Sequence, residues 1–217
     1  MARKIYDGVL KNKERTKLKL IDAVGQIIRE EGYTGLKLQK IVETAGVDRK
    51  LLYDYFGTID NLVETYVRQK DYYMAFANTA EKLVKDHEGS DGRILIQKIL
   101  LDQLDVFSND QDLQQILIWR LSEDNPILSD INEQREKIGS IFFKFLDNHF
   151  EGTSVDIRAR FALIAAGIYF LVLYEKKTQD LFCEIDLHTP DGIERIRKAI
   201  SSLTEEAFEI AKRQKTK

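Results

Sequence analysis

The sequence predicts an all-α protein of about nine helices, with a small three-helix N-terminal domain and a larger C-terminal helical bundle. Apolar residues recur at the i, i+3, i+4 spacing of one helix face along most of the 217 residues. Only two prolines occur, and no run of alternating β-branched residues is long enough for a sheet. The single cysteine excludes an internal disulfide, and the charged N-terminus has no apolar segment typical of a secretory signal. We therefore expect a cytoplasmic protein.

The first predicted helix covers about residues 11–31, and its apolar stripe contains Leu20, Val24, Ile27 and Ile28. The residues before this helix and in its first turns are mostly basic. Residues 1–20 contain seven lysines and arginines against two acidic residues, although the whole chain has a net charge of −3. Such an asymmetry favours contact of this end with phosphate, while a solvated charged helix start is the simpler alternative.

Residues 36–56 contain two short apolar-periodic segments on either side of a tight turn. Gly46 stands just past the first segment, where a left-handed residue commonly ends a helix, and Val47 is expected to fold back on Val42. Asp48 is placed to cap the next helix. Two helices joined by such a turn form a helix-turn-helix, whose second helix enters the major groove of DNA.

The rest of the chain is expected to be helical throughout. Breaks are expected at the glycine-containing loop 88–92, at Asn125-Pro126, at the turn 151–154, and at Thr189-Pro190, where Pro190 suits a first helical position. We place the boundary between a DNA-binding domain, residues 1–58, and an effector-binding and dimerisation domain, residues 59–217. The six predicted helices of this second part cover about residues 59–87, 93–107, 113–121, 127–150, 155–177 and 190–214.

The eighth predicted helix is apolar around its whole circumference from Phe161 to Tyr174. This run of 14 residues is shorter than the roughly 20 that span a bilayer, so a soluble protein is expected. A helix of this kind must be covered on all sides, either as the central helix of a monomer or by a second subunit. We expect a homodimer, with an interface that contains Ile164, Gly167, Ile168, Leu171, Ile196, Ile200 and Leu203.

Residues 16–67 resemble the DNA-binding domain of TetR-type transcriptional regulators. The matching residues are Gly32-Tyr33, Ile41-Val42, Ala45-Gly46-Val47, Leu52-Tyr53, Tyr55-Phe56 and Asp60-Asn61-Leu62. The chain departs from the family pattern at Leu36-Lys37, usually a threonine pair, at Asp48, usually serine, at Lys50-Leu51, often Gly-Thr, and at Ile59, commonly lysine. The resemblance implies a ligand-responsive transcriptional regulator, here a repressor, that binds a palindromic operator as a dimer and is released by a small-molecule effector.

Eight residues are expected to contact DNA. Arg49 or Lys50 suits the O6 and N7 acceptors of guanine, and Lys37 suits phosphate at a helix N-terminus. The resemblance implies a phosphate contact for the Tyr53 hydroxyl, whereas Tyr55 either reaches the DNA or simply packs. Arg3 and Lys4 are expected to form an arm into the minor groove. The full expected set is Lys37, Gln39, Arg49, Lys50, Leu51, Tyr53, Asp54 and Tyr55.

An effector pocket is expected between helices of the C-terminal domain. Its candidate lining residues, each of which plain core packing would also explain, are Phe76, Phe107, Trp119, Phe142 and Tyr169. No metal-binding His/Cys pattern, phosphate loop or nucleophile elbow occurs, so neither an enzyme nor a cofactor is expected. An alternative of another class is a helical dimer that binds a ligand or protein and has lost tight DNA binding. Asp48 and Ile59 favour that alternative, whereas Arg49-Lys50 and the basic terminus oppose it.

Overall fold

The computed structural model describes the backbone of residues 2–216 and the side chains of residues 12–216. The expected all-α fold is confirmed. The described residues contain no β-strand, only an isolated antiparallel bridge between Phe182 and Ile185. The helices are α1 (Ala2–Glu31), α2 (Leu38–Ala45), α3 (Arg49–Phe56), α4 (Ile59–Lys70), α5 (Ala80–Lys85), α6 (Arg93–Asn109), α7 (Gln111–Ser122), α8 (Pro126–Phe150), α9 (Ile157–Lys177) and α10 (Pro190–Lys215).

The described residues thus form ten α-helices rather than nine, because the predicted helix over residues 59–87 is wrong. The buried Asp71 ends α4: its carboxylate accepts hydrogen bonds from the backbone N–H groups of Tyr73 (3.0 Å) and Met74 (3.2 Å). Such side-chain bonds compete with the helical ladder. A short 3-10 turn over Tyr73–Phe76 follows, and α5 begins only at Ala80. Apolar periodicity continues across this break and therefore concealed it.

The chain divides into two compact units. The first unit contains the chain up to Met74 together with Gln111–Arg135, and the second contains Ala75–Asp110 and the chain from Glu136 onward. Helix α7 and the first turns of α8 therefore belong to the same unit as α1 to α4. The point along the chain at which the DNA-binding function ends stays a prediction.

The first unit is built around the apolar stripe predicted for α1. Leu20, Val24, Ile27 and Ile28 are at most 1% exposed. Burial of each such side chain contributes about 1.5–3 kcal/mol relative to an exposed one. The buried residues that pack into the same cluster from the other helices are Ile41, Ala45, Leu52, Leu62, Val63, Tyr66, Val67, Ile116, Trp119, Leu128 and Ile131.

In the second unit, α6 packs against α9 and α10, and ion pairs near both of its ends fasten it to α10. Near its start, the Arg93 guanidinium donates to the carboxylate of Glu205. One turn from its end, Asp105 accepts two hydrogen bonds from Arg197, at 2.5 and 3.1 Å. Bidentate pairs of this kind fix geometry as well as adding energy. Helix α6 is therefore held in a defined register on α10.

Candidate nucleic-acid interface

The turn between α2 and α3 is built as the sequence predicts. Gly46 adopts the left-handed conformation (φ 59°, ψ 41°) and Val47 donates its N–H to the carbonyl of Val42 at 3.1 Å. The Asp48 carboxylate then accepts a hydrogen bond from the backbone N–H of Lys50 at 2.7 Å. These bonds satisfy groups that helix ends leave unpaired. They also set the direction in which α3 leaves the turn.

The far end of α3 is fixed by Asn61, a residue of α4. Its side-chain amide donates to the carbonyl of Phe56 (2.8 Å), and its backbone N–H donates to the hydroxyl of Thr58 (3.0 Å). One residue thus links the last carbonyls of α3 to the N-terminal cap of α4. Helix α3 is consequently held at both ends.

One face of α3 is open to solvent. Arg49, Lys50, Tyr53 and Asp54 are exposed, while Leu52 is fully buried, as the helix periodicity predicts. The guanidinium of Arg49 lies 5.5 Å from the centre of the Tyr53 ring and 3.4 Å from its hydroxyl oxygen. The structure therefore brings these two side chains together on the exposed face. Their contact with DNA stays a prediction.

The start of α2 presents Lys37 and Gln39 to solvent. Lys37 occupies the N-cap position in an extended conformation and makes no side-chain cap, which leaves this end of the helix suited to an anion. Gln39 donates its amide to the Glu43 carboxylate at 2.5 Å, so its side chain lies along α2. Lys37 is better placed than Gln39 to meet phosphate.

Leu51 and Tyr55 are half-buried. Tyr55 packs against the core of the first unit, which agrees with the packing alternative for this residue. The ammonium of Lys13, in α1, lies 5.4 Å from the centre of the Tyr55 ring. This contact was not predicted, because helix periodicity identifies buried faces but not the neighbours of an exposed lysine. The backbone of Arg3 and Lys4 belongs to helix α1 and does not form the predicted arm, and their side chains lie outside the described ones.

A buried carboxylate of α7 forms ion pairs with α1 and α4. Asp112 is 4% exposed. Its carboxylate oxygens lie 2.6 Å from the guanidinium of Arg29 and 2.7 Å from the ammonium of Lys70. Burial by itself raises the pKa of Asp112, but the hydrogen bonds from Lys70 and Arg29 outweigh it and lower that pKa below its ordinary value. The carboxylate is therefore ionised and paired at neutral pH.

An open apolar groove of about 230 Å³ runs along α9 and α10. Leu163, on its edge, is 75% exposed, and Leu203 is 47% exposed. By length and composition alone α9 could also cross a membrane, but that is weak support, since core helices pass the same test. The groove is lined by Leu163, Ala199 and all seven residues expected at the dimer interface, namely Ile164, Gly167, Ile168, Leu171, Ile196, Ile200 and Leu203.

The five aromatic residues expected to line an effector pocket are not all in one unit. In the second unit, the rings of Phe76 and Phe142 meet edge to face at 6.1 Å, and those of Phe107 and Tyr169 lie 5.0 Å apart. Trp119 belongs to the first unit, where it is 4% exposed and donates its indole N–H to Glu123 at 2.6 Å. The pocket role of all five stays a prediction. Within residues 12–216, no three His, Cys, Asp or Glu side chains are grouped so that they could hold a metal ion.

Comparison with known proteins identifies the helix-turn-helix. Residues 20–66 match the family model of the bacterial regulatory proteins of the tetR family. No curated protein matches the sequence. Among solved structures, the chain is similar to NalD of Pseudomonas aeruginosa, the secondary repressor of the MexAB-OprM multidrug efflux pump. That match has 18% identity, covers 87% of this chain and 96% of NalD, and has a TM-score of 0.58.

Two solved regulators named FadR show the same fold. FadR of Bacillus subtilis, solved in complex with stearoyl-CoA, has 17% identity over 89% of this chain and 96% of its own, with a TM-score of 0.52. FadR of Bacillus halodurans, a fatty acid degradation regulator, has 18% identity over 89% of this chain and 94% of its own, with a TM-score of 0.53. At such identities the likeness establishes the fold and leaves the ligand open.

Proposed function

We propose, from the premise that this chain is a TetR-type regulator, that it binds a palindromic operator as a homodimer and represses transcription until a small-molecule effector releases it. The observation that carries this proposal is the exposed face of α3. That face presents Arg49, Lys50 and Tyr53 on a helix that Asp48 and Asn61 fix at both ends. Like other regulators of its type, the protein would act in the cytoplasm.

The side chains of α3 suggest a division of labour on DNA. Arg49 and Lys50 would bond the base edges of guanine, where each good contact discriminates by about 1–3 kcal/mol. Tyr53 would bond phosphate through its hydroxyl, and its ring would keep the Arg49 guanidinium in place. Lys37 would bind phosphate together with the first N–H groups of α2. Base contacts would then select the sequence, whereas phosphate contacts would set the register.

A second copy of the chain is the partner proposed for the α9–α10 groove. Leu163 and Leu203 are exposed in the single chain, so the burial that would stabilise these large apolar side chains is missing there. Pairing of two such faces would form a four-helix interface and set the distance between the two α3 helices. Successive major grooves on one side of DNA are about 34–36 Å apart, which is the spacing that a two-fold site requires.

The second unit supports a mainly apolar effector. Within its described residues, the fully buried polar side chains are Gln103 and Thr204, and neither is charged. An effector bound there would bury an apolar body and place one hydrogen-bonding group at Gln103. The fatty-acyl thioester bound by Bacillus subtilis FadR has such a body. Release of DNA would follow if the effector preferred a spacing of the α3 helices that no longer fits the operator.

The alternative, a helical ligand- or protein-binding dimer without tight DNA binding, rests on two residues. The Asp48 carboxylate lies at the start of α3, where it would repel a phosphate. Ile59 is half-buried and packs against the core, so it supplies no cation at the start of α4.

Binding of fluorescent fragments from the protein's own promoter region, at several salt concentrations with competitor DNA, separates the two functions. The regulator should bind one fragment far more tightly than competitor, and Lys50→Ala and Tyr53→Ala should remove that preference. The matched control Lys198→Ala, an exposed lysine on α10, should bind as the unmodified protein does. Equal, weak binding to every fragment would support the alternative.

Deletion of the gene should raise transcription from the bound promoter if the protein is a repressor.

A further inference from the structure

Lys13, in the basic N-terminal half of α1, contacts helix α3. The Lys13 ammonium lies over the ring of Tyr55, 5.4 Å from its centre, and the lysine is otherwise exposed. Tyr55 is itself half-buried and packed against the core, so its ring is a fixed support. A cation above an aromatic face is attracted by the negative charge of that face. Tyr55 therefore restricts a side chain that would otherwise move freely in solvent.

Within the described side chains, Lys13 also stands apart from the neighbouring lysine of α1. No carboxylate among side chains 12–216 makes an ion pair with it, whereas Lys17, one turn further along α1, pairs with Glu14 at 3.3 Å. An aromatic ring holds an ammonium without neutralising it. Among the described side chains, the Tyr55 ring is therefore what holds the Lys13 ammonium beside α3.

We propose that Lys13 is a DNA-phosphate contact and that Tyr55 is the positioning residue that holds it there. This inference rests on the proposed function, because it assumes that α3 enters the major groove. The phosphate backbones border that groove on both sides, so a cation fixed beside α3 meets the strand next to the groove. Tyr55 then contributes to DNA binding through its ring, without touching a base.

A phosphate contact has a signature that a base contact lacks. Each phosphate contact releases condensed counterions when it forms. Its loss should therefore make the plot of log binding constant against log salt concentration less steep by about 1. It weakens binding to operator and competitor by the same factor, which we expect to be about threefold to tenfold for one contact. Specificity, the ratio of the two affinities, should stay unchanged. The salt slope and the specificity together distinguish a phosphate contact by Lys13 from base contacts by Arg49 and Lys50.

The test compares salt titrations of Lys13→Ala, Tyr55→Phe, Tyr55→Leu and the double variant Lys13→Ala/Tyr55→Leu, with Lys198→Ala as control. Lys13→Ala should show the reduced slope with unchanged specificity. Tyr55→Phe keeps the ring and should behave as the unmodified protein. Tyr55→Leu should resemble Lys13→Ala, and the double variant should lose no more than either alone, since both changes remove one interaction.

Lys13 is exposed, so its alanine variant keeps the fold and the test stands even if Tyr55→Leu unfolds. An unchanged salt slope in Lys13→Ala, in a protein whose specific binding still depends on Lys50, would overturn this inference and leave the proposed function intact. Absence of specific binding by the unmodified protein would instead overturn both. A reduced slope in Tyr55→Phe would show that the hydroxyl, and not the ring, acts on DNA.

Discussion

The rings of Tyr33 and Trp119 lie 5.5 Å apart, with their planes within 5° of parallel. This contact joins the turn that follows α1 to the last turn of α7, across more than eighty residues of sequence. Trp119 is the only tryptophan of the chain, so its fluorescence reports on this junction. The stack is one of the contacts by which α7 packs into the same unit as the helix-turn-helix.

Trp119→Ala should lower the free energy of unfolding by about 3–5 kcal/mol, because it removes a large buried ring from the core. Urea denaturation followed by circular dichroism measures the change. A cycle with Tyr33→Leu should show a coupling of about 0.5–1.5 kcal/mol, the range found for aromatic pairs. Unchanged stability in Trp119→Ala would indicate that the indole fills a ligand site and not the core.

Asp112→Asn should destabilise the protein by about 1.5–3 kcal/mol at neutral pH, the range for hydrogen bonds to charged groups. The partner side chains Arg29 and Lys70 are 41% and 38% exposed and would stay hydrated, which limits the loss. Urea midpoints of both proteins across pH give the measurement.

The pH dependence of this difference has a defined sign. The pKa of Asp112 is lowered on folding, so the folded state binds fewer protons and its ion pairs are fully present above the unfolded pKa of about 3.9. The advantage over Asp112→Asn should stay constant at neutral pH and shrink as pH falls below about 4. A difference that grew in acid would contradict the ion-pair account.

Asn61→Asp should weaken DNA binding, since a carboxylate cannot donate a hydrogen bond to the Phe56 carbonyl and would repel it. Loss of this bond should also cost about 1–2 kcal/mol of stability. Asn109→Asp is the matched control: Asn109 makes the same bond, at 2.7 Å to the Asp105 carbonyl, but lies in the second unit. It should reduce stability without changing DNA affinity. Equal effects of both variants on DNA would refute the role of Asn61 in holding α3.

Gly167→Arg should yield a helical monomer. A Cβ atom at Gly167 would meet nothing within 4 Å, so the variant chain can fold, but the arginine would enter the apolar groove. Gly139→Arg is the control, because Gly139 lies in α8 with equal open space and outside the groove. Sedimentation should show a monomer for the first variant and a dimer for the second. A Gly167→Arg dimer would place the interface elsewhere.

Local features of the chain were predictable, and contacts between distant residues were not. Gly46, Asp48 and the stripe of α1 act within one or two turns, and periodicity and cap chemistry identify them. The end of α4 was missed because the Asp71 turn depends on one side chain, which periodicity does not register. Periodicity also identifies the buried face of a helix, but not the helix that packs against that face.

The same limit applies to the candidate sites. The exposed residues of α3 and the groove residues followed from helix faces, because the turns of one helix determine which residues lie together. Trp119 was grouped with the other aromatic residues because ring type alone carries no information about the unit in which a ring lies. The contact of Lys13 with Tyr55 depends on how α1 crosses α3, which only the folded chain determines.

Footprinting of the purified protein on its own promoter region tests the central claim most directly. The account predicts two protected half-sites whose centres lie about one helical turn, 34–36 Å, apart or at a multiple of it. Protection should disappear in Lys50→Ala, and in Gly167→Arg, which should no longer dimerise. Protection without two-fold symmetry, or no protection at concentrations that coat competitor DNA, would contradict a dimeric operator-binding regulator.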